Sequence, residues 1–396
     1  MKLRIRKMNS YEILFFVALF LYCAHTYLSA SVFGMYSSSY SGVGGVHFPK
    51  SFFSLLRYAI VIIGVFKILL TTKYTKKVFG ILATLVVLVA GTIISSGDNN
   101  INLVLALVIV FAGRDIDFER IIRLLMGMII FWNAVIMLSC LFGIIPNLSY
   151  TVEGESIYSL GFSYFSTPAY CAMTVSIMYI YLSRKVSYFK LVIVEILNIL
   201  YYQVHNTELA IYVVTLFVIL YVIVVKWGVF SFEKRFLKGV ATIAPFLCFI
   251  LTLVFVYLYS IGKLPEIETL STLYGRLEYS AIALNEYGIH LFGQHIVTYG
   301  NTARVYGSAT SGFFIDSGYM KVLLTYGLLF TIFLLLLYVL LYRYIYTSKD
   351  KIMYIWCGLM LVASIINGFL LSPLYNPALF IMPKAIFDIS KSWRKA

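Results

Sequence analysis

Charge is what this chain lacks. Only 12% of its 396 residues are Asp, Glu, Lys or Arg, against roughly a quarter in soluble domains. With 61% hydrophobic residues, a water-soluble fold of this size could not hide its apolar surface, and the class is a polytopic membrane protein. Cysteine is sparse too: Cys23, Cys140, Cys171, Cys248 and Cys357 all lie in apolar runs without short metal spacing. They read as small hydrophobes in helix packing. No HExxH and no glycine-rich loop closing on Lys-Ser/Thr occurs, so neither a metalloprotease nor a nucleotide site is signalled. No internal repeat is evident, which weakens transporter designs built from two halves. No small-residue cleavage site follows the basic start Met1–Lys7, so the run after it reads as a first helix rather than a removed signal.

What is abundant is aromatic residues, 17% of the chain, with 33 Tyr and 31 Phe. They suit interfacial belts. The net charge of +14 reflects basic residues in short loops, where they set topology, and does not point to nucleic acid. Apolar runs predict about twelve membrane helices, over 11–31, 52–70, 78–95, 101–112, 120–145, 167–183, 188–205, 207–226, 239–260, 318–342, 352–371 and 374–389. The fourth and the last are short, candidates for re-entrant or tilted segments. Alternating the twelve puts Lys2, Arg4, Arg6, Lys7, Lys73, Lys76, Lys77, Arg184, Lys185, Lys226, Lys234, Arg235, Lys238, Arg343, Lys349, Lys351, Lys391, Arg394 and Lys395 on one side. That side is expected to be cytoplasmic, with both termini inside. The whole of 1–396 is then one all-α integral membrane domain, and 261–317 is its large extracytoplasmic loop.

Ionisable residues inside spans are costly and are functional candidates. His25, Arg57, His205, Glu208 and Lys321 crowd the outer halves, and Glu195 lies near a span's middle with Asn198 one turn on. Ordinary readings stand beside these: Arg57 snorkelling to headgroups, Glu195 as a packing group, and Lys67 and Arg123 snorkelling at cytoplasmic ends. The acidic pairs Asp115/Asp117, Glu153/Glu155 and Glu266/Glu268 have spacings that could hold a cation, but no metal is expected. Asp115 and Asp117 read as a solvated face.

Within the loop, Leu273, Leu277, Ala281 and Leu284 recur with helical spacing, so Arg276 projects from a short helix. Gly288 ends that helix. Residues 289–311 have no steady period and read as ordered loop. Asp316 or Ser317 is placed to cap the helix that follows.

These residues carry a family resemblance. Gly275-Arg276, Phe292-Gly293 with His295, and the run Asp316-Ser-Gly-Tyr-Met-Lys-Val-Leu-Leu-Thr-Tyr-Gly327 resemble the loop and following helix of bacterial O-antigen and capsule polymerases of the Wzy type, whose superfamily includes the O-antigen ligases. The resemblance covers 261–342 in detail and the rest as topology. It implies polymerisation of repeat units carried on polyprenyl pyrophosphate at the outer face of the bacterial cytoplasmic membrane. Arg276 matches the family's loop arginines and His295 the ligases' loop histidine. Family members often carry Arg where this chain has Asn206-Thr207-Glu208, and Arg57 and Arg304 are available in its place.

The expected site therefore has Arg276, His295 and Asp316 as catalytic residues. Arg57, Arg304, His205, Glu208 and Tyr274 would bind substrate. Arginines would grip the pyrophosphate, and His295, Glu208 or Asp316 would take a proton from the acceptor hydroxyl. No cofactor is needed, because the lipid-linked donor carries the energy. The implied partners are the lipid-linked oligosaccharide and membrane lipids, with a flippase and a chain-length regulator as candidates. The rival readings are a flippase or transporter of lipid-linked oligosaccharide, a ligase sharing the same site, and a sensor or scaffold.

Overall fold

The first helix shows how sequence sets the elements. Asn9 Oδ1 accepts from the Glu12 amide at 2.8 Å, and Glu12 Oε2 accepts from the Asn9 amide at 3.3 Å. This reciprocal cap starts α1, Ser10–Ser29. A computed structural model describes residues 9–35, 43–71, 75–96, 101–152, 154–229, 235–264, 271–298, 305 and 313–388. After α1 come α2 (Lys50–Thr71), α3 (Lys76–Ser96), α4 (Ile101–Ala112) and α5 (Phe118–Leu141). A two-stranded antiparallel hairpin follows, Ser149–Val152 with Glu155–Tyr158. Next are α6 (Thr167–Ser183), α7 (Tyr188–His205), and α8 (Glu208–Tyr221) with a π-helical extension Val222–Lys226. Then come α9 (Arg235–Ser260) and α10 (Ser271–Tyr287). The chain continues with α11 (Gly318–Lys321), a π-helical turn Val322–Tyr326, α12 (Leu328–Thr347) and α13 (Lys351–Ala363). Short helical turns Gly368–Leu371 and Pro377–Ile381 precede α14 (Met382–Phe387).

Among the described residues, seven helices are long and apolar enough to cross a membrane: Ser10–Ser29, Lys50–Thr71, Val78–Ser96, Phe118–Leu141, Glu208–Lys226, Phe236–Ser260 and Leu328–Thr347. The fold is that of an all-α membrane protein. The nine helices expected before residue 261 occur with ends shifted by no more than about a turn. In α1 and α12, 56% and 61% of the apolar stretch is buried, against 22%, 22% and 17% in α2, α3 and α5. The first two are inner columns; the others turn large apolar side chains such as Leu55, Ile62, Val86 and Leu138 outward, as lipid contact requires. Four of the five cysteines are buried and all are unpaired.

One end of the bundle is laced by charge. Glu12 at the start of α1 meets Arg120 at the start of α5 at 2.8 Å. Arg184, closing α6, meets Glu119 at 2.7 Å and Asp350, which caps α13, at 2.9 Å. Lys67 meets Asp115 at 3.7 Å, and Lys384 Nζ donates to the Ile116 carbonyl at 2.8 Å. Asp117 caps α5 through the Arg120 amide. The Asp115/Asp117 pair thus serves ion pairing and capping. These helix ends are the ones the basic-loop pattern assigns to the cytoplasm. Met1–Lys7 and the closing Lys391, Arg394 and Lys395 lie outside the described residues, as do Glu153, Glu266 and Glu268.

The last three expected spans differ from continuous helices. The helix expected over 318–342 is interrupted at Gly327, whose φ of +90° leaves helical geometry. The chain then resumes as α12 and runs on to Thr347. Arg343, expected in a cytoplasmic loop, is instead buried within α12 and donates from Nη1 to Thr242 Oγ1 at 3.1 Å. The stretches 352–371 and 374–389 resolve into α13, two short turns and α14. Apolar content alone does not report such breaks, because it is blind to where backbone hydrogen bonds go.

At the Gly327 break the backbone is satisfied by the loop. The Leu328 amide donates to the His290 carbonyl at 2.9 Å, the Leu329 amide to Leu291 at 3.2 Å, and the Gln294 amide to Thr325 at 3.3 Å. The first two are donors that a helix start leaves orphaned. Phe292 presses on Gly91 of α3, where a Cβ would lie 2.5 Å from its ring. Gly91 is five residues before the end of α3, so at 1.5 Å per residue the loop dips about 7 Å below that end. A separate small core, Val256, Leu277, Ala281, Ile296, Ile315, Met320, Leu323 and Leu324, holds α10 against α9 and the π-helical turn.

Candidate functional site

Within the described part of the loop, α10 and residues 313–317 meet at the start of α11. Ser317 caps that helix, its hydroxyl accepting from the Met320 amide at 3.4 Å. The Gly318 amide donates to the carbonyls of Ser364 and Asn367, which fixes the segment against the end of α13. Asp316 stands just before this cap. Arg276, on the face of α10 turned toward it, places Nε 3.8 Å from Asp316 Oδ2. Its Nη1 donates to the Ile366 carbonyl at 3.0 Å. The same guanidinium acts on the Tyr170 hydroxyl, which accepts from Asn367 Nδ2 at 2.8 Å. Burial pushes the Asp316 carboxyl up to about 6, with Arg276 and then Lys321 pulling the other way.

Lys321 follows one turn after Gly318. It is hemmed in by protein yet accessible, because it lines a cleft. The cleft has a volume of about 370 Å³, within the range of small-ligand sites. Its polar wall includes His25, Thr26, Ser29, Asn102, Lys321 and Ser372. These come from the end of α1, the start of α4, the start of α11 and the turn after α13. All four are helix ends assigned to the outer side, opposite the ion-paired end. From α2, Arg57 Nε donates to His25 Nε2 at 3.0 Å. Lys321 is thus the cation in the cleft wall; Arg57 bonds to the wall residue His25, and Asp316, paired with Arg276, stands two residues before the wall residue Gly318.

Of the residues predicted from sequence, Arg276 and Asp316 are brought together, and Arg57 joins the cleft through His25. His295 goes elsewhere: its Nδ1 meets the Ser96 carbonyl at 3.1 Å, holding the loop to the end of α3. Tyr274 turns toward Tyr259 of α9, ring centroids 6.4 Å apart, and sits two residues from Arg276 on a different face of α10. His205 is buried and stacked on Tyr201 at 5.9 Å. Its Nδ1 has no partner among the described residues. Glu208 opens α8, where a carboxylate suits the helix N-terminus. Neither His205 nor Glu208 lines the cleft. Arg304 lies outside the described residues.

No family model, curated protein or solved structure matches this chain. What the site can do therefore rests on its own residues. Tyr170 and Asn367 escaped the sequence reading, since nothing marks one tyrosine among 33. Lys321 and His25 did carry a signal, as ionisable groups inside apolar runs.

Proposed function

We propose that this protein is a polysaccharide polymerase. It would transfer a growing glycan from polyprenyl pyrophosphate to the non-reducing end of an incoming lipid-linked repeat unit, at the outer face of the cytoplasmic membrane. What carries this reading is the cleft between α1, α4 and α11: it is walled by Lys321 and His25, Arg57 bonds to His25, and Asp316, paired with Arg276, stands two residues before its wall residue Gly318. Three cations to one carboxylate suit a phosphorylated ligand.

In this reaction the bond from the anomeric carbon to the phosphate oxygen breaks, and a bond from that carbon to an acceptor hydroxyl oxygen forms. Charge develops on the departing pyrophosphate, where fixed cations stabilise it. Lys321 in the cleft and Arg57 at its edge take that role. Asp316 receives the acceptor proton; a carboxyl raised to about 6 is a better base near neutral pH than an ordinary one. Arg276 holds Asp316 and the Ile366 carbonyl in register. His295, anchored on Ser96, stands second to Asp316 as the base.

A flippase must open at both ends of the bundle. Here the ion pairs lace one end and the cleft lies at the other, an asymmetry that favours chemistry at one surface. A ligase would share the site and differ only in its acceptor. The deciding experiment is a deletion strain. Single lipid-linked repeats accumulating on the outer leaflet are the expected result; accumulation on the inner leaflet would support the flippase.

A further inference from the structure

We propose that Arg57 is the residue that meets a lipid-borne phosphate as it enters the cleft from the bilayer, and that His25 is its positioning residue. This rests on reading the cleft as a lipid-phosphate site.

Arg57 lies seven residues into α2, about 10 Å from its start. Beside it Leu55, Tyr58 and Ile62 are exposed, so a hydrocarbon tail could lie along that face. None of the ion pairs among the described residues includes Arg57. Among the described residues its one hydrogen bond is the 3.0 Å contact from Nε to His25 Nε2.

That contact fixes chemistry as well as place. An Nε–H that donates needs a lone pair on Nε2, so the imidazole is neutral and carries its proton on Nδ1. His25 is itself buried, with its ring edge-on to Phe53 at 6.1 Å between centroids. A rigid neutral acceptor therefore takes the Nε–H. The two terminal amino groups of the guanidinium keep their donors for a phosphate, in the parallel geometry Arg favours. An acidic residue at position 25 would neutralise the cation; an apolar one would let it swing out to the headgroups. The imidazole does neither. His25, which takes this bond from Arg57, is itself part of the cleft wall with Lys321.

The test uses the purified full chain in lipid nanodiscs with farnesyl pyrophosphate as probe. Arg57→Gln should weaken binding by about tenfold or more, as loss of a charge-assisted contact predicts. His25→Leu should weaken it equally. The double variant His25→Leu/Arg57→Gln should be no weaker than Arg57→Gln alone, because His25 acts through Arg57. His25→Gln, which keeps an acceptor oxygen, should retain wild-type affinity within about threefold. Additive losses in the double variant, or unchanged binding in Arg57→Gln, would overturn the proposal. Equal affinity for inorganic pyrophosphate alone would overturn the part played by the lipid tail. If phosphatidylglycerol competes and shows the same Arg57→Gln loss, the anion is a phospholipid headgroup and the positioning role stands. Binding as expected without polymer synthesis would retain this inference and remove the polymerase; polymer synthesis with Arg57→Gln affinity unchanged would do the reverse.

Discussion

Gly293 and Gly327 meet backbone to backbone. A Cβ added to Gly327 would lie 2.2 Å from the Gly293 amide nitrogen, and one added to Gly293 would lie 2.1 Å from the Thr325 carbonyl oxygen. Both residues also have positive φ, +80° and +90°. Neither the conformation nor the space admits a side chain. Gly293→Ala and Gly327→Ala should each destabilise the protein by about 2 kcal/mol or more. Gly80→Ala, where a Cβ meets nothing, should not. Thermal unfolding in detergent would show it, and equal melting temperatures for all three would refute the close approach.

Asp316 gives a pH dependence with a definite sign. Its folded value of about 6 lies above its ordinary 3.8, so between these limits the native state binds more protons than the unfolded chain. Stability contributed by this group is therefore present below about 4 and lost as pH rises through about 6. Asp316→Asn should remove that loss, and the melting temperature of the variant should fall less than wild type between about pH 4 and about pH 7. Polymerisation should show the opposite trend, rising through about 6 as the carboxylate forms. Asp316→Asn should lower the rate by about 10²-fold or more. A flat wild-type rate profile across this range would remove Asp316 as the base.

Arg276 serves several partners with one planar group: the Ile366 carbonyl, the Asp316 carboxylate and the Tyr170 hydroxyl. A lysine offers one point charge and cannot span them. Arg276→Ala and Arg276→Lys should both stop polymer growth while the protein stays in the membrane. Normal chain lengths in Arg276→Ala would exclude Arg276 from the mechanism.

Topology has a direct check. Val297 is exposed beside His295, and Trp227 is exposed at the end of α8. In a background with the native cysteines removed, Val297→Cys should react with an impermeant thiol reagent from outside only. Trp227→Cys should react only from the cytosol. The reverse pattern would invert the chain and discard the outer site.

The long helices were legible from the sequence because apolar runs in a bilayer leave the backbone little alternative. So was α10, whose Leu277 and Ala281 face the small core as their spacing required. The Arg276–Asp316 pair could be named but not its setting. Ile366, Asn367 and Tyr170 are neutral, distant in sequence, and contribute a carbonyl, an amide and a hydroxyl that occur everywhere. The placement of His295 was not legible for a related reason: it meets a backbone oxygen at Ser96, and backbone acceptors have no signature in side-chain identity. The break at Gly327 had only the glycine to announce it.

The amides of Leu328 and Leu329 depend on the carbonyls of His290 and Leu291. Peeling that strip away would leave two donors without partners at the start of an apolar helix, at several kcal/mol apiece if they faced hydrocarbon. The strip is thus part of the wall rather than a door. If the cleft takes a lipid-linked glycan as proposed, that ligand would have to skirt the strip, and engineering aimed at a wider entrance should begin along α2 and α4.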